Sequence, residues 1–324
     1  MDRREFIKGS AIVGVTIATP LLVKGGSGMF DFKSNRKVFR ILNAKRAKVG
    51  TLPILRAFAG NHLDHVSPYV LFDEFGPVDL SPGSKPLRVD AHPHAGIIPT
   101  TFFLSGSGHH RDSLNLDLQI LKGEFMMFSS GKGAIHMEET GQVMYDDGGR
   151  FHGFQVWLNM QSKYKYINPS TNVYQDDKMD MIQHENYTAK VILGELFEAR
   201  SKIELLSPAF YFHVKMNSGC RLDIPTDPLH NAFVYVIDGN LEVEGRRELK
   251  TNQIALYQRR ASLINLYTQF GAEILVLGGQ PLNEPVYSYG PFVMNNEDQI
   301  RKCIMDYNAG KMGDPDLVNY LEAK

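Results

Sequence analysis

Hydrophobic and polar positions along this chain alternate in short blocks, cut by glycine, proline, asparagine and aspartate. "TTFFL", "DLQIL", "EFMMFSS" and "FQVWLNM" form one series, and "KVILGEL", "FYFHVKM", "AFVYVIDGNLEVEG", "QIALYQ", "SLINLY" and "EILVLGG" a second. A near-two period in β-branched and aromatic runs predicts strands, and many short strands with regular turn signals predict a sandwich or barrel. Gly106, and Asp238-Gly239 between two β-rich runs, predict hairpin turns. Pro68, Pro77, Pro82, Gly83 and Pro86 predict a loop-rich stretch with one short strand at Tyr69 to Phe72. Helical spacing emerges only late: "NNEDQIRKCIMDYNAG" sets Ile300, Ile304 and Tyr307 on one face, with Asn296 as cap and Gly310 as stop.

A faint repeat organises these blocks. "TTFFLSGSGHH" is similar to "FVYVIDGNLEV": an aromatic strand, a glycine turn, then a second strand. Laying Gly106 on Gly239 predicts two halves of a duplicated barrel. Counted back without gaps, His92 and His94 then fall on Pro225 and Asp227. Eight of the 11 histidines lie between His62 and His152, and none follows His230. A metal site, if there is one, therefore belongs to the first half. The expected fold is all-β, two jelly-roll-like β-barrel domains packed together with a C-terminal α-helix. The expected division is 1–28 signal and linker, 38–170 N-terminal domain, 171–294 C-terminal domain, and 295–324 helix and tail.

Composition narrows the class. With 324 residues, 43% hydrophobic and 22% charged, the chain can build two ordinary cores. A net charge of −1 with scattered Lys and Arg carries no electrostatic footprint for nucleic acid. Cys220 and Cys303 alone exclude a disulfide framework or a cysteine-based metal site, and leave open one bond or two thiols. At the start, Arg3, Arg4 and Lys8 precede an uncharged run from Ala11 to Val23, too short to span a bilayer comfortably. Arg-Arg-x-Phe-Ile-Lys resembles a twin-arginine signal. It predicts periplasmic export of a folded protein, with the segment either cleaved or kept as an anchor on the outer face of the inner membrane; no clean Ala-x-Ala follows.

Two short pairs carry the candidate chemistry. His92 and His94, separated by Pro93, put both imidazoles on one face of an extended segment. His136 and Glu138 repeat that spacing, with Met137 and Glu139 turned away. On facing strands the pairs would converge as three imidazoles and one carboxylate, a set able to hold a divalent metal. Spacing by itself also fits hydrogen-bonded loop residues. His62, His65, His109, His110 and His152 read as structural, with His110 or His152 as partners behind a ligand.

Several blocks in order, from about Val38 to Gly313, resemble the pirin family of two-domain cupins. "HPHAGI" resembles its His-Pro-His-Arg-Gly-Phe, "HHRDSLN" its His-Arg-Asp-Ser, and "SSGKGAIHMEE" its glycine-rich turn and His-x-Glu; "FHGFQVWLNM" and "LGGQPLNEPVYSYGPFVMNNEDQI" also match. The resemblance implies a bicupin with one metal, usually iron, held in the N-terminal barrel by His92, His94, His136 and Glu138, and a second barrel without metal. It departs at Ala95 for Arg, Ile97 for Phe, Ile98 for an acid and Met127 for Trp. These departures predict a less charged, more apolar site mouth and leave the substrate open.

The implied activity is that of a quercetin 2,3-dioxygenase-like oxidoreductase acting on flavonols or related enolic and phenolic molecules with O2. Fe(II) is the expected cofactor, with Mn, Ni, Co or Zn as alternatives, and Glu138 the expected general base. The rival expectation is a non-catalytic metal-binding protein that senses redox state or binds a partner. A monomer is expected, with no nucleic-acid partner and no stable membrane span once the signal is removed.

Overall fold

The computed structural model describes residues 31–60 and 66–319. The signal-like segment 1–28, His62 and His65 lie outside the described residues. Period-two patterning folds into sheets throughout. In the first half, seven strands run in the order Ser170–Tyr174, Phe125–Ser129, Ile97–Ser105, Gly149–Asn159, Tyr69–Leu80, Leu52–Ala59 and Lys45–Val49. Facing them is a four-stranded sheet ordered Arg88–His94, Ala134–Thr140, Gly108–Asp112 and Asp117–Ile120. The second half centres on one 11-stranded sheet whose main path includes Ala261–Tyr267, Asn231–Val243, Ala272–Gly279 and Ala209–Met216.

The seven-stranded sheet is covered on both faces, which accounts for near-continuous apolar runs such as "TTFFL". Phe102, Phe154, Val156 and Leu158 point one way, into a core shared with Phe233, Tyr235, Leu275 and Leu277 of the second half. The ring centroids of Phe72 and Tyr235 are 4.8 Å apart, and Phe233 meets Tyr69 edge-on at 5.4 Å. Phe75, Phe103 and Phe151 point the other way, toward Ile120 and Met144 inside the first half. Met127 is also buried in the core between the halves. Fully burying such side chains stabilises by roughly 1.5–3 kcal/mol each.

Two expectations about strands are corrected. The sheets are bicupin in arrangement but are not closed into barrels. The seven-stranded sheet ends at Ser170–Tyr174 and Lys45–Val49, the four-stranded one at Arg88–His94 and Asp117–Ile120, and among the described residues no pairing joins these edges. Nor are the glycine turns hairpins. At Gly106 the chain leaves the seven-stranded sheet and enters the four-stranded one. At Gly239 one strand, Asn231–Val243, changes partner from Ala272–Gly279 to Arg247–Lys250. Both glycines have left-handed φ, +77° and +86°. A left-handed glycine lets the chain change sheet at Gly106 and change partner at Gly239 without a clashing side chain.

The loop-rich expectation near Pro77 also fails: Tyr69–Leu80 is one 12-residue strand. Phe75 pairs with Gly153 and Val78 with Phe151, so Gly76 and Pro77 sit in a bulge where no ladder N–H is required. The helix Glu297–Asn308 forms as read, its Asn296 side chain accepting from Gln299 N at 2.9 Å. Its buried face, Ile300, Cys303 and Tyr307, covers Ile135 and Met137 of the first half. Cys303 and Cys220 are both free and buried. Among the described residues no helix is long and apolar enough to cross a membrane.

Candidate metal centre

The strands Arg88–His94 and Ala134–Thr140 are antiparallel neighbours, with His92 opposite His136 and His94 opposite Ala134. This register turns the histidines at 92, 94 and 136 to one face of the small sheet. Their ring centroids are 4.4 to 4.9 Å apart. One ring nitrogen from each lies within 4.8 Å of the others, and all three rings are buried.

Hydrogen bonds aim the rings. His92 Nδ1 lies 2.8 Å from the carbonyl oxygen of Asp90, and His94 Nδ1 lies 3.1 Å from that of Pro291. A carbonyl only accepts, so each Nδ1 carries the proton and each Nε2 turns a lone pair inward. His136 Nε2 is 3.0 Å from His92 Nε2. His94 Nε2 is buried with no hydrogen-bond partner, an arrangement that costs roughly 1–3 kcal/mol unless something binds it. Burial pushes the pKa of His94 and His136 well below the ordinary imidazole value and lowers that of His92. Neutral, converging imidazoles are what a divalent cation requires.

Glu138 stands beside this cluster and not within the same tight group of three. It groups with His136 and His110; past His136 the pairing with Arg88–His94 shifts register, so that Glu138 stands opposite Val89 and away from His92 and His94. Its Oε1 accepts from Thr101 Oγ1 at 3.1 Å and its Oε2 from Gln155 Nε2 at 2.5 Å. Trp157 Nε1 donates in turn to Gln155 Oε1 at 3.4 Å. The Trp157 ring meets His94 edge-on at 4.8 Å, and Phe128 stacks on His136 at 4.6 Å. The residues therefore fit a divalent metal: three imidazole nitrogens with a hydrogen-bonded carboxylate alongside.

A cavity of about 880 Å³ opens from this centre between the two sheets of the first half. His92, His94, Glu138, Gln155 and Trp157 border it, and Tyr287 and Tyr289 reach it from the segment after the second half. Charged Lys48, Glu297 and Arg301 also border it.

The reason expected for an apolar mouth is corrected, because the residues that depart from the family pattern lie elsewhere. Ala95 lies on the opposite side of the chain, fully buried among Ile135, Met137, Phe292 and Met294. Ile97 is buried against Val70 and Val293, and Ile98 in the core between the halves. None of the three borders the cavity, so these departures do not reshape it.

The other histidines separate by contact. His109 pairs with Asp117 at 2.5 Å and Glu139 at 3.4 Å. His152 bonds Glu74 at 2.6 Å, and Glu74 accepts from Tyr235 OH across the halves. His110 alone faces a cluster histidine, its Nδ1 3.4 Å from His136 Nδ1. Thr101, Gln155, Trp157 and the late aromatics were not singled out from sequence. A signal existed for two of them: in "FQVWLNM", Gln155 and Trp157 share the face opposite Phe154, Val156 and Leu158.

In the second half the strand Arg221–Pro225 pairs with Ala261–Tyr267 much as Arg88–His94 pairs with Ala134–Thr140. Leu222, Ile224, Ile264 and Leu266 fill its inner side as packed core. Pro225 and Asp227 are exposed, so the gapless count points outward.

The comparisons with known proteins agree with this architecture. The Pirin family profile matches residues 51–158, and that of the Pirin C-terminal cupin domain matches residues 211–313. A Vibrio cholerae protein provisionally named a quercetin 2,3-dioxygenase is 31% identical over 288 residues, 85% of this chain and 97% of that one. A Pirin-like protein of Caulobacter vibrioides is 29% identical over 86% of this chain and 95% of its own. A crystal structure of quercetin 2,3-dioxygenase from Acinetobacter baumannii superposes with a TM-score of 0.84 at 28% identity, covering 87% of this chain and 100% of that one. The fold and the histidine centre define a two-domain cupin with a metal-binding His/Glu cluster. The chain belongs to the pirin family.

Proposed function

We propose that this pirin is a mononuclear metal-dependent dioxygenase acting on flavonols or related enolic and phenolic molecules, with His92, His94, His136 and Glu138 as metal ligands. The observation that carries the proposal is a cluster of three buried imidazoles, two of which, His92 and His94, border a cavity of about 880 Å³, within the size range of small-molecule sites. Kinship with proteins named for quercetin 2,3-dioxygenase supports the substrate class. Fe(II) suits the donor set, as do Mn, Ni, Co and Zn.

A divalent ion held there supplies Lewis acidity that lowers the pKa of a substrate hydroxyl and, if redox-active, a route for electrons to O2. The chain's own residues do the rest. Trp157, Tyr287 and Tyr289 offer aromatic surface to a planar ring. Glu138 receives the hydroxyl proton as general base, while Thr101 and Gln155 hold both its oxygens in place. The apolar wall of Leu52, Ile54 and Phe75 excludes water. Ala95, Ile97 and Ile98 lie off the cavity, so these departures from the family pattern give no ground for a non-catalytic reading. Periplasmic export is proposed from residues 1–28 alone.

The test is oxygen uptake by Fe(II)-loaded protein with a panel of flavonols and catechols. Turnover of at least one is expected; none from fully loaded protein would sink the dioxygenase reading.

A further inference from the structure

His136 is the one cluster histidine whose outer nitrogen meets no backbone carbonyl. His92 and His94 are each set by such a contact; His136 Nδ1 meets His110 Nδ1 instead, at 3.4 Å. Two imidazole nitrogens can share a proton only if one carries it and the other offers a lone pair. The surroundings decide which.

His110 Nε2 lies 3.0 Å from Asp112 Oδ2, and both side chains are fully buried. Asp112 is itself saturated: Oδ2 also accepts from Thr171 Oγ1 at 2.6 Å, and Oδ1 from the amides of Leu114 and Leu116 at 2.8 and 3.2 Å. Every partner apart from the imidazole donates to it, which marks Asp112 as a carboxylate. A neutral His110 then keeps its proton on Nε2 and leaves Nδ1 bare. That bare nitrogen faces His136, fixing the His136 proton on Nδ1 and freeing Nε2 for the cluster.

We propose that His110, held by Asp112, is a positioning residue that sets the tautomer and ring orientation of His136 for metal binding. This rests on the metal-centre reading above. His136, His110 and Glu138 also come close enough to suggest a second ion, but His110 Nε2 is spent on Asp112 and its Nδ1 on His136.

The test is Co(II) titration of metal-free protein, followed by absorption and by competition with a chelator. Wild type should bind one Co(II). His110→Phe, which fills the space without an acceptor, should weaken binding by about 10- to 100-fold. His110→Asn, whose side-chain oxygen can take the place of Nδ1, should stay within about threefold of wild type. If the phenylalanine variant fails to fold, Asp112→Asn carries the test. Its amide would donate to His110 Nε2, drive the proton to Nδ1 and weaken binding by about tenfold or more.

Wild-type affinity in His110→Phe, or equal weakness in His110→Asn, overturns the positioning role while leaving the metal centre standing. Two ions per chain would show that His110 is itself a ligand. No Co(II) binding by wild type removes the metal reading and this inference together.

Discussion

His94 donates from Nδ1 to the carbonyl oxygen of Pro291, 197 positions later in the chain, at 3.1 Å. The late segment is docked along this edge of the first half: Val293 N donates to Ala95 O at 3.1 Å, and Phe292 is buried beside Ala95 and Met137. One ring of the candidate centre is thus aimed by a segment that follows the second half. Phe292→Ala should cost about 3–5 kcal/mol of stability, as for other buried aromatic truncations, and should also weaken metal binding. Urea unfolding and a parallel metal titration check this; unchanged affinity in a destabilised variant would free His94 from dependence on the arm.

Removing a central imidazole should empty the site without unfolding the chain. His136→Ala takes away the nitrogen nearest His92 and leaves both strands paired through their backbones. Elemental analysis after metal loading should fall from one ion per chain to below about a tenth, with an unchanged circular dichroism spectrum. Full loading of the variant would refute the ligand assignment.

Lys165 links the turn after His94 to the same late segment. It is fully buried, and its Nζ donates to Gly96 O at 2.9 Å, Val293 O at 2.9 Å and Asn159 Oδ1 at 2.6 Å. Burial pushes its pKa from 10.5 down to about 7. Between those values the unfolded chain holds a proton that the folded chain has released, so stability rises with pH across that window and is flat below it. The slope is on the order of 1 kcal/mol per pH unit. Urea unfolding from about pH 6 to pH 9 should show this rise in wild type and lose it in Lys165→Met; parallel profiles would assign it to another group.

The two glycine corners should be intolerant of a side chain, unequally. A Cβ on Gly239 would lie 2.4 Å from the backbone oxygen of Gly271, and one on Gly106 would lie 2.9 Å from that of Arg150. With the left-handed φ added, each alanine should cost about 1–3 kcal/mol, Gly239→Ala the more. Thermal unfolding of the two variants gives the order. Equal, negligible shifts would mean that the backbone relaxes at both positions and that neither needs glycine.

Much of the site was legible because its residues are neighbours in sequence. His92 with His94, and His136 with Glu138, sit two apart on extended chain, and that spacing alone sends each pair to a common face. The helix Glu297–Asn308 was legible for a similar reason, its cap and apolar face lying within one short stretch. Ala95 was misjudged by the same logic left unfinished. One step beyond His94 reverses the face, and what lies behind that face is Phe292, nearly two hundred residues away.

By itself, then, the sequence determined the strands that carry apolar runs, the helix, two β-rich halves and the two histidine-bearing pairs, since each depends on residue period and on contacts within a few positions. Only the tertiary structure decided that Gly106 marks the crossing from one sheet to another and Gly239 a change of partner within one strand, that Thr101 and Gln155 grip Glu138, and that His110 stands behind His136. It also decided that Pro291 orients His94. The physical reason is the same in each case: hydrogen bonds and close packing are set by distances across strands, and strand register places residues with no relation in sequence at bonding range.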